Sequence, residues 1–230
     1  MYILHYAPDN ASLVIRLALE EIGAPFRTEL VDRSVRAQDS AAYRAVNPTG
    51  LIPALETPQG ALFETAAILL WLSETHATLA PQPSSAERGA FLKWLFFTSN
   101  TLHADIRLHF YPENHAGSEV GLPGFREAVA QRILRHLGLM EAMACSKPSW
   151  FSPDHPSVLT LYLSCLLRWL ALYPLDRHGW FDLGQFPALH AVACAMQTRP
   201  SAQRAAVAEG LGVSIFAAPD YANPPEGRVL

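Results

Sequence analysis

The sequence predicts an α+β fold, in which a part of mixed strands and helices is followed by an all-helical part. Strand-like and helix-like patterns alternate over residues 2–76. Helix-breaking residues then cluster in Pro81-Gln82-Pro83-Ser84-Ser85, as in a linker, and only helical patterns follow. A chain of 230 residues is long enough for two domains. We place these domains at residues 1–79 and 87–230, with a linker at 80–86.

The first part is predicted to follow the order β-α-β-α-β-β-α. Its first helix has the clearest pattern, because apolar residues from Leu13 to Ile22 recur on one face and charged residues lie largely opposite. Gly23 is expected to end this helix, since glycine readily adopts the left-handed conformation that follows many helices. The predicted elements are strands at 2–6, 26–31, 53–56 and 61–63 and helices at 13–22, 38–46 and 64–76.

The second part is predicted to be a helical bundle, because no convincing strand pattern occurs beyond the linker. The predicted helices run over about 86–113, 124–144, 157–173, 187–198 and 201–209. After Gly212, the prolines Pro219, Pro224 and Pro225 favour an extended or irregular segment.

Composition argues against several classes of function. The formal net charge is −4 and Lys and Arg form no basic stripe, so we expect no nucleic-acid partner. No stretch reaches the ~18 apolar residues of a membrane helix, and the first residues begin a strand rather than a signal peptide. The three cysteines, Cys145, Cys165 and Cys194, form no Cys-x-x-Cys pair, and the histidines show no zinc spacing with them. We therefore expect a cytoplasmic protein with reduced cysteines, no membrane contact and no metal.

Residues 47–72 contain the most specific functional signal. Pro53 can occupy only the first position or an edge of a strand, because it donates no ladder hydrogen bond. If the bond before it is cis, the backbone N–H and C=O of Ile52 are free to pair with a short peptide. The helix that begins after Phe63 offers unpaired N–H groups to a carboxylate, with Glu64 and Thr65 at its start. This combination predicts a site for a small acidic peptide; alternatively, Pro53 only shapes a turn and the other two residues only cap a helix.

These motifs resemble those of the glutathione S-transferase superfamily. The matching segments are Asn47-Pro48-Thr49-Gly50-Leu51-Ile52-Pro53-Ala54-Leu55, Glu64-Thr65-Ala66-Ala67-Ile68, Phe186-Pro187-Ala188-Leu189 and Arg199-Pro200-Ser201-Ala202-Gln203-Arg204-Ala205. The resemblance covers essentially the whole chain. It implies an N-terminal thioredoxin-like domain that binds glutathione, an all-helical C-terminal domain and a homodimer.

The resemblance also implies which residues bind glutathione. Ile52 and Pro53 would hold its backbone, Glu64 would accept hydrogen bonds from the γ-glutamyl ammonium, and Thr65 would bind the adjacent carboxylate. Arg36, or alternatively Arg33, would meet the glycine carboxylate, although either arginine alone is more typical of a solvated surface.

The segment Tyr6-Ala7-Pro8-Asp9-Asn10-Ala11-Ser12-Leu13 resembles the bacterial beta class, whose pattern is Tyr-x-Pro-Gly-Ala-Cys-Ser-Leu. Ala11 stands where that class has its cysteine, so mixed-disulfide chemistry through a cysteine of this domain is excluded. Ser12, with Asn10 as a second donor, becomes the predicted partner of the glutathione thiolate. Alternatively, Ser12 only caps the helix. Tyr6 is a weaker candidate, because aromatic residues in strands usually pack.

A helix of the second part adds candidates. Thr101-Leu102-His103, with Pro112 nine positions after His103, resembles the beta-class segment whose histidine approaches glutathione. His103, Arg107 and Tyr111 follow an i, i+4, i+8 spacing, so we expect them on one helix face. Arg107 and Tyr111 would then border a pocket for the acceptor; alternatively, the face is only solvated. Farther along, the family's Ser-x-x-Asp capping motif reads Ser157-Val158-Leu159-Thr160, so its reciprocal acid is missing.

The predicted activity is that of a glutathione S-transferase, a transferase of alkyl or aryl groups. Glutathione, bound as a thiolate, would attack an electrophilic, largely apolar co-substrate, as in detoxification, without a further cofactor. One alternative is reduction of disulfides or peroxides that depends on glutathione. Another is a non-catalytic binding or scaffold protein of the same fold.

Overall fold

The computed structural model describes residues 1–116, 119–175 and 179–229. Its first part is built on a four-stranded sheet of order β2-β1-β3-β4. The strands are β1 (Tyr2–Tyr6), β2 (Phe26–Leu30), β3 (Ala54–Thr57) and β4 (Gly60–Phe63). β1 pairs in parallel with β2, while β3 is antiparallel to both of its neighbours. The carboxyl ends of β1 and β2 therefore share one edge of the sheet, beside the start of β3.

Three helices accompany the sheet: α1 (Ser12–Ile22), α2 (Ala41–Val46) and α3 (Thr65–Thr75). α1 packs on β1 and α3 through its apolar face, as its sequence pattern predicts. Gly23 ends α1 at φ 71°, the left-handed conformation expected of a C-terminal glycine. α2 is shorter than the predicted helix at 38–46, because the Ser40 side chain accepts a hydrogen bond from Tyr43 N and two 3₁₀ turns precede it.

In the second part, the described residues form helices and irregular segments. The helices are α4 (Arg88–Phe97), α5 (His103–Phe110), α6 (Leu122–Cys145), α7 (Val158–Leu172), α8 (Pro187–Gln197) and α9 (Pro200–Glu209). A π-helical turn at Thr98–Leu102 joins α4 to α5, so the pattern predicted over 86–113 corresponds to two helices in one run. None of these described helices combines the length and apolar character needed to cross a bilayer.

α7 is the central helix of the molecule. Nearly all of its residues are buried, and it packs against α1, α3 and α8. Residues of α7 are thereby placed beside the start of both α1 and α3. The predicted α+β order, with strands before the linker and helices after it, is confirmed, whereas the domain limits stay a prediction.

The C-terminal segment, defined here as residues 211–229, returns from α9 towards the sheet. It begins beside Gly210, which has φ 64°, and Asn223 N donates a hydrogen bond of 2.8 Å to the Gly210 carbonyl. A Cβ at Gly210 would lie 2.0 Å from Asn223 O, so the close approach requires glycine. The segment then reaches Tyr6, at the end of β1, through a hydrogen bond to Glu226.

Candidate functional site

The backbone of Ile52 forms a free edge beside the sheet. The Ile52–Pro53 peptide bond is cis. Among the described residues, neither backbone group of Ile52 takes part in a hydrogen bond. The preceding carbonyl, that of Leu51, accepts hydrogen bonds of 2.6 Å from Tyr43 Oη and from Asn47 Nδ2. The turn is therefore held through the Leu51 carbonyl, while the backbone groups of Ile52 remain available to a peptide.

The start of α3 provides the second part of the predicted peptide site. Glu64 has φ 71°, a left-handed conformation that is uncommon for this residue and more frequent at functional sites. Its exposed carboxylate makes no hydrogen bond or ion pair within the described chain. Thr65 is buried and opens the helix, next to the unpaired N–H groups of its first turn. The Glu64 carboxylate, which can bind a cation, thus lies beside the N–H groups of α3, which can bind an anion.

Tyr162 of α7 connects the start of α3 with His103. Its hydroxyl lies 2.6 Å from His103 Nδ1. Burial and the negative charge of Glu64 raise the pKa of Tyr162, while the neighbouring Thr65 opposes that shift. Burial, followed by the positive charge of Arg107, lowers the pKa of His103 to about 4. His103 is therefore neutral at pH 7, and the sequence pattern gave no reason to expect Tyr162 beside it.

The opening turn of α1 is defined here as residues Pro8–Ala11. The side chains of Ser12 and Asn10, beside and within this turn, differ in burial and in hydrogen bonding. Ser12 is fully buried, donates to Ala7 O at 3.0 Å and accepts from Ala7 N at 3.3 Å. Its only O–H is thus bonded to the backbone, and Ala11 occupies the N-cap position instead. Asn10 is half-buried and its Oδ1 accepts from Ala11 N at 2.7 Å, which leaves the side-chain NH₂ without a partner among the described residues. The catalytic roles of both residues stay predictions.

Tyr6 is not free to bind a thiolate. Its side chain is buried, its hydroxyl donates to Glu226, and the Arg16 guanidinium lies 5.0 Å from its ring centre. Burial, followed by the hydrogen bond to Glu226, raises the pKa of Tyr6 above its usual range. This agrees with the sequence analysis, in which Tyr6 was a weaker candidate than Ser12 for binding the thiolate.

The predicted cations for the glycine carboxylate already have partners. Arg36 pairs with Asp39 at 2.7 Å and its side chain is 80% exposed. Arg33 donates from Nη1 to the carbonyl of Val229 at 2.7 Å. A peptide carboxylate would therefore have to share or displace these contacts, and the choice between the two arginines stays a prediction.

The sequence predicted that His103, Arg107 and Tyr111 share one helix face, and only the first two do so. His103 and Arg107 lie one turn apart on α5, and Arg107 is exposed. α5 ends at Phe110, so Tyr111 adopts the non-helical φ −127° and ψ 55° of its C-cap. The expectation that Tyr111 continues the helical face is therefore wrong in geometry, because the helix stops one residue too early. Its role beside an acceptor pocket stays a prediction.

A separate cavity of about 430 Å³ lies on another side of the molecule. Its lining includes Glu21, Trp150 and Arg199, and none of the predicted site residues. The ion pair between Glu21 and Arg199 occupies part of its wall. This cavity is therefore not the site predicted from the sequence around Ile52, Glu64 and the opening turn.

Comparisons with known proteins identify the family of the chain. Residues 11–75 match the family described as glutathione S-transferase, N-terminal domain. Glutathione S-transferase GstA of Escherichia coli O157:H7 is 28% identical over 90% of this chain and 98% of its own length. The disulfide-bond oxidoreductase YfcG of Escherichia coli K12 is 26% identical over 92% of this chain and 97% of its own length.

Structural similarity leads to the same family. A solved ternary complex of BphK, a bacterial glutathione S-transferase, is 30% identical, with a TM-score of 0.74. The alignment covers 91% of this chain and 100% of that one. The predicted family and enzyme class are thereby confirmed, and the chain belongs to the glutathione S-transferase superfamily.

Proposed function

We propose that the protein binds glutathione and transfers it to an electrophilic, largely apolar co-substrate. The observation that carries this proposal is the free backbone edge of Ile52 beside the exposed Glu64 and the start of α3. The cysteinyl backbone of glutathione pairs with Ile52 as a short added strand. The γ-glutamyl ammonium then meets Glu64, and its carboxylate meets Thr65 and the amides of α3.

In this orientation the glutathione sulfur lies at the opening turn of α1. A free thiol with pKa ~8.5 is mostly protonated at neutral pH, and hydrogen-bond donors favour its reactive thiolate. Asn10 supports this role because its side-chain NH₂ has no other partner within the described residues. Ser12 is the second candidate, and its hydroxyl must first exchange its bond to Ala7 O.

His103, at the start of α5, supplies a further donor. The Tyr162 hydroxyl lies 2.6 Å from His103 Nδ1, and in this proposal it donates its proton to that nitrogen. A neutral imidazole that accepts at Nδ1 has its proton on Nε2. That N–H is directed to glutathione, while Arg107 and Tyr111 border the site of the acceptor.

Two single variants test which residue supports the thiolate. We expect Asn10→Ala to raise the pKa of bound glutathione by about one unit, because one hydrogen bond to a charged group is lost. Ser12→Ala is the matched variant and should leave that pKa close to the wild-type value. The thiolate absorbance of bound glutathione, followed against pH, measures both. The opposite ranking would assign the role to Ser12, and calorimetry that detects no glutathione binding would contradict the proposed function.

A second candidate function is the reduction of disulfides or peroxides. It is favoured by the similarity to YfcG over 92% of this chain. The chain has no cysteine before Cys145, so glutathione itself would supply the electrons. Assays with an aryl halide, an epoxide, a hydroperoxide and a small disulfide separate the two reactions. Retention on immobilised glutathione without any turnover would instead indicate a scaffold protein.

We also infer a cytoplasmic homodimer with a role in detoxification. Its three cysteines are all free, as expected in a reducing compartment. Three large apolar residues near the sheet and α4 are substantially exposed: Leu51, Phe63 and Phe96. Such exposed side chains are suited to a contact with a second copy of the chain.

A further inference from the structure

The opening turn of α1 is joined to α7 by a buried ion pair. Arg168 and Asp9 have side chains that are completely buried. Nε of Arg168 donates to one carboxylate oxygen of Asp9 at 2.8 Å, and Nη2 donates to the other at 2.9 Å. The same two oxygens accept from Trp169 Nε1 and from Tyr173 Oη, each at 2.9 Å. The carboxylate thus receives four hydrogen bonds.

The other side of the guanidinium binds the C-terminal segment. Nη1 of Arg168 donates to Ile215 O at 3.0 Å and to Leu211 O at 3.5 Å, and Nη2 donates to Asp220 O at 2.9 Å. With the two bonds to Asp9, these contacts use all five N–H donors of the side chain. One residue of α7 therefore fixes the opening turn and the C-terminal segment together.

The backbone of Asp9 is fixed as well. Its N–H donates to Glu209 Oε2 at 2.9 Å, and Glu209 in turn accepts from Arg16 Nε at 2.7 Å. Asp9 has φ 48°, a conformation that glycine adopts without strain. A turn alone would thus be better served by glycine. The carboxylate at this position instead joins the turn to α7, one residue before Asn10.

We infer that Asp9 and Arg168 are positioning residues, which hold the opening turn so that Asn10 and the first amides of α1 face the glutathione sulfur. This inference rests on the proposed function. A buried ion pair is not required for stability, since a well-packed apolar pair of similar volume is often equally stable. The pair instead fixes the orientation of its neighbours, and neither side chain contacts glutathione.

The test compares the double variant Asp9→Gly/Arg168→Met with a matched double variant, Glu21→Gln/Arg199→Met. The first removes both buried charges, so neither is left unpaired. The second removes the ion pair between Arg199 and Glu21 near the other end of α1, at 2.6 Å. Amide hydrogen exchange of the opening turn, glutathione affinity and the pKa of the bound thiol are measured, together with kcat and KM.

In the first double variant we expect amide exchange at residues 9–12 to rise about tenfold and the thiol pKa to rise about one unit. kcat should fall about tenfold with KM little changed, because glutathione still binds at Ile52 and Glu64. The matched variant should keep the wild-type values. If the double variant does not fold, Tyr173→Phe removes one bond to Asp9 and should give a smaller change in the same direction.

Unchanged exchange and thiol pKa in a folded double variant, or in Tyr173→Phe where only that variant folds, would overturn the inference while leaving the proposed function intact. A wild-type protein that binds no glutathione would overturn the proposed function itself. The two failures are therefore distinguishable.

Discussion

His103 shows how burial selects one protonation state of a side chain. Because its pKa falls from 6.5 to about 4 on folding, the folded protein binds fewer protons than the unfolded chain between these values. The resulting stability is present above pH 6.5 and is lost as the pH falls towards 4. At 1.36 kcal/mol per pKa unit, the loss is at most about 3 kcal/mol.

We therefore predict that His103→Gln reduces the loss of stability between pH 7 and pH 4.5. Glutamine keeps an N–H donor but does not titrate, so the variant lacks only the protonation of residue 103 that favours unfolding at low pH. Urea unfolding at the two pH values measures the effect, and an NMR titration of the wild-type imidazole checks the pKa directly. Equal losses in variant and wild type would contradict the assignment.

At the residue scale, the sequence predicted local geometry better than contacts between distant residues. Pro53, Glu64 and Thr65 lie in one short motif, whose turn and helix start follow from local chemistry. Tyr162 meets His103 across 59 positions, and Arg168 meets Asp9 across 159. Such pairings depend on how the helices pack, which a local pattern does not encode.

At the scale of elements, the start of α7 shows a substitution that keeps its function. The sequence suggested that reciprocal capping is lost, because Thr160 replaces an acid. In the structure, Thr160 Oγ1 accepts a hydrogen bond from Ser157 N at 3.2 Å. The acid is absent, and the hydroxyl of Thr160 performs the reciprocal half of the cap in its place.

We predict that Thr160→Val lowers the free energy of unfolding by about 1 kcal/mol, because it leaves the buried N–H of Ser157 without its acceptor. Thr160→Ser keeps the hydroxyl and is the matched control, which should stay nearer the wild type. Urea denaturation of both variants measures the difference. A valine variant as stable as the serine variant would show that this bond contributes nothing.

Helices were predicted more reliably than their ends. The amphipathic pattern of α1 identified both its buried face and its terminal glycine. The run at 86–113 gave no sign of the π-helical turn at Thr98–Leu102, because the wider turn shifts the pattern only slightly. Tyr111 was misplaced for a related reason, since spacing alone does not reveal where α5 stops.

At the scale of the whole molecule, the proposed homodimer gives a direct prediction. Phe63 and Phe96 are 37% and 45% exposed, respectively. A buried glutamate would be costly in an interface, so Phe63→Glu/Phe96→Glu should weaken association at least about tenfold. Val207→Glu changes a residue that is 83% exposed on α9 and serves as the control. Sedimentation velocity over a dilution series measures all three proteins; an unchanged dimer would exclude these two side chains from the interface.

The linker and the change from mixed to helical patterns were sufficient to predict the two-part architecture. The path of residues 211–229 was not predictable, because prolines indicate irregular backbone without indicating what it contacts. Three of its partners, Tyr6, Arg33 and Arg168, are distant in sequence.

The contact between Tyr6 and Glu226 joins residues 220 positions apart. During translation, the first strand therefore emerges from the ribosome long before the glutamate that its tyrosine binds. That contact cannot form until Glu226, which follows α9, has been synthesised. Fixing of the end of β1 is in this way tied to synthesis of the C-terminal segment.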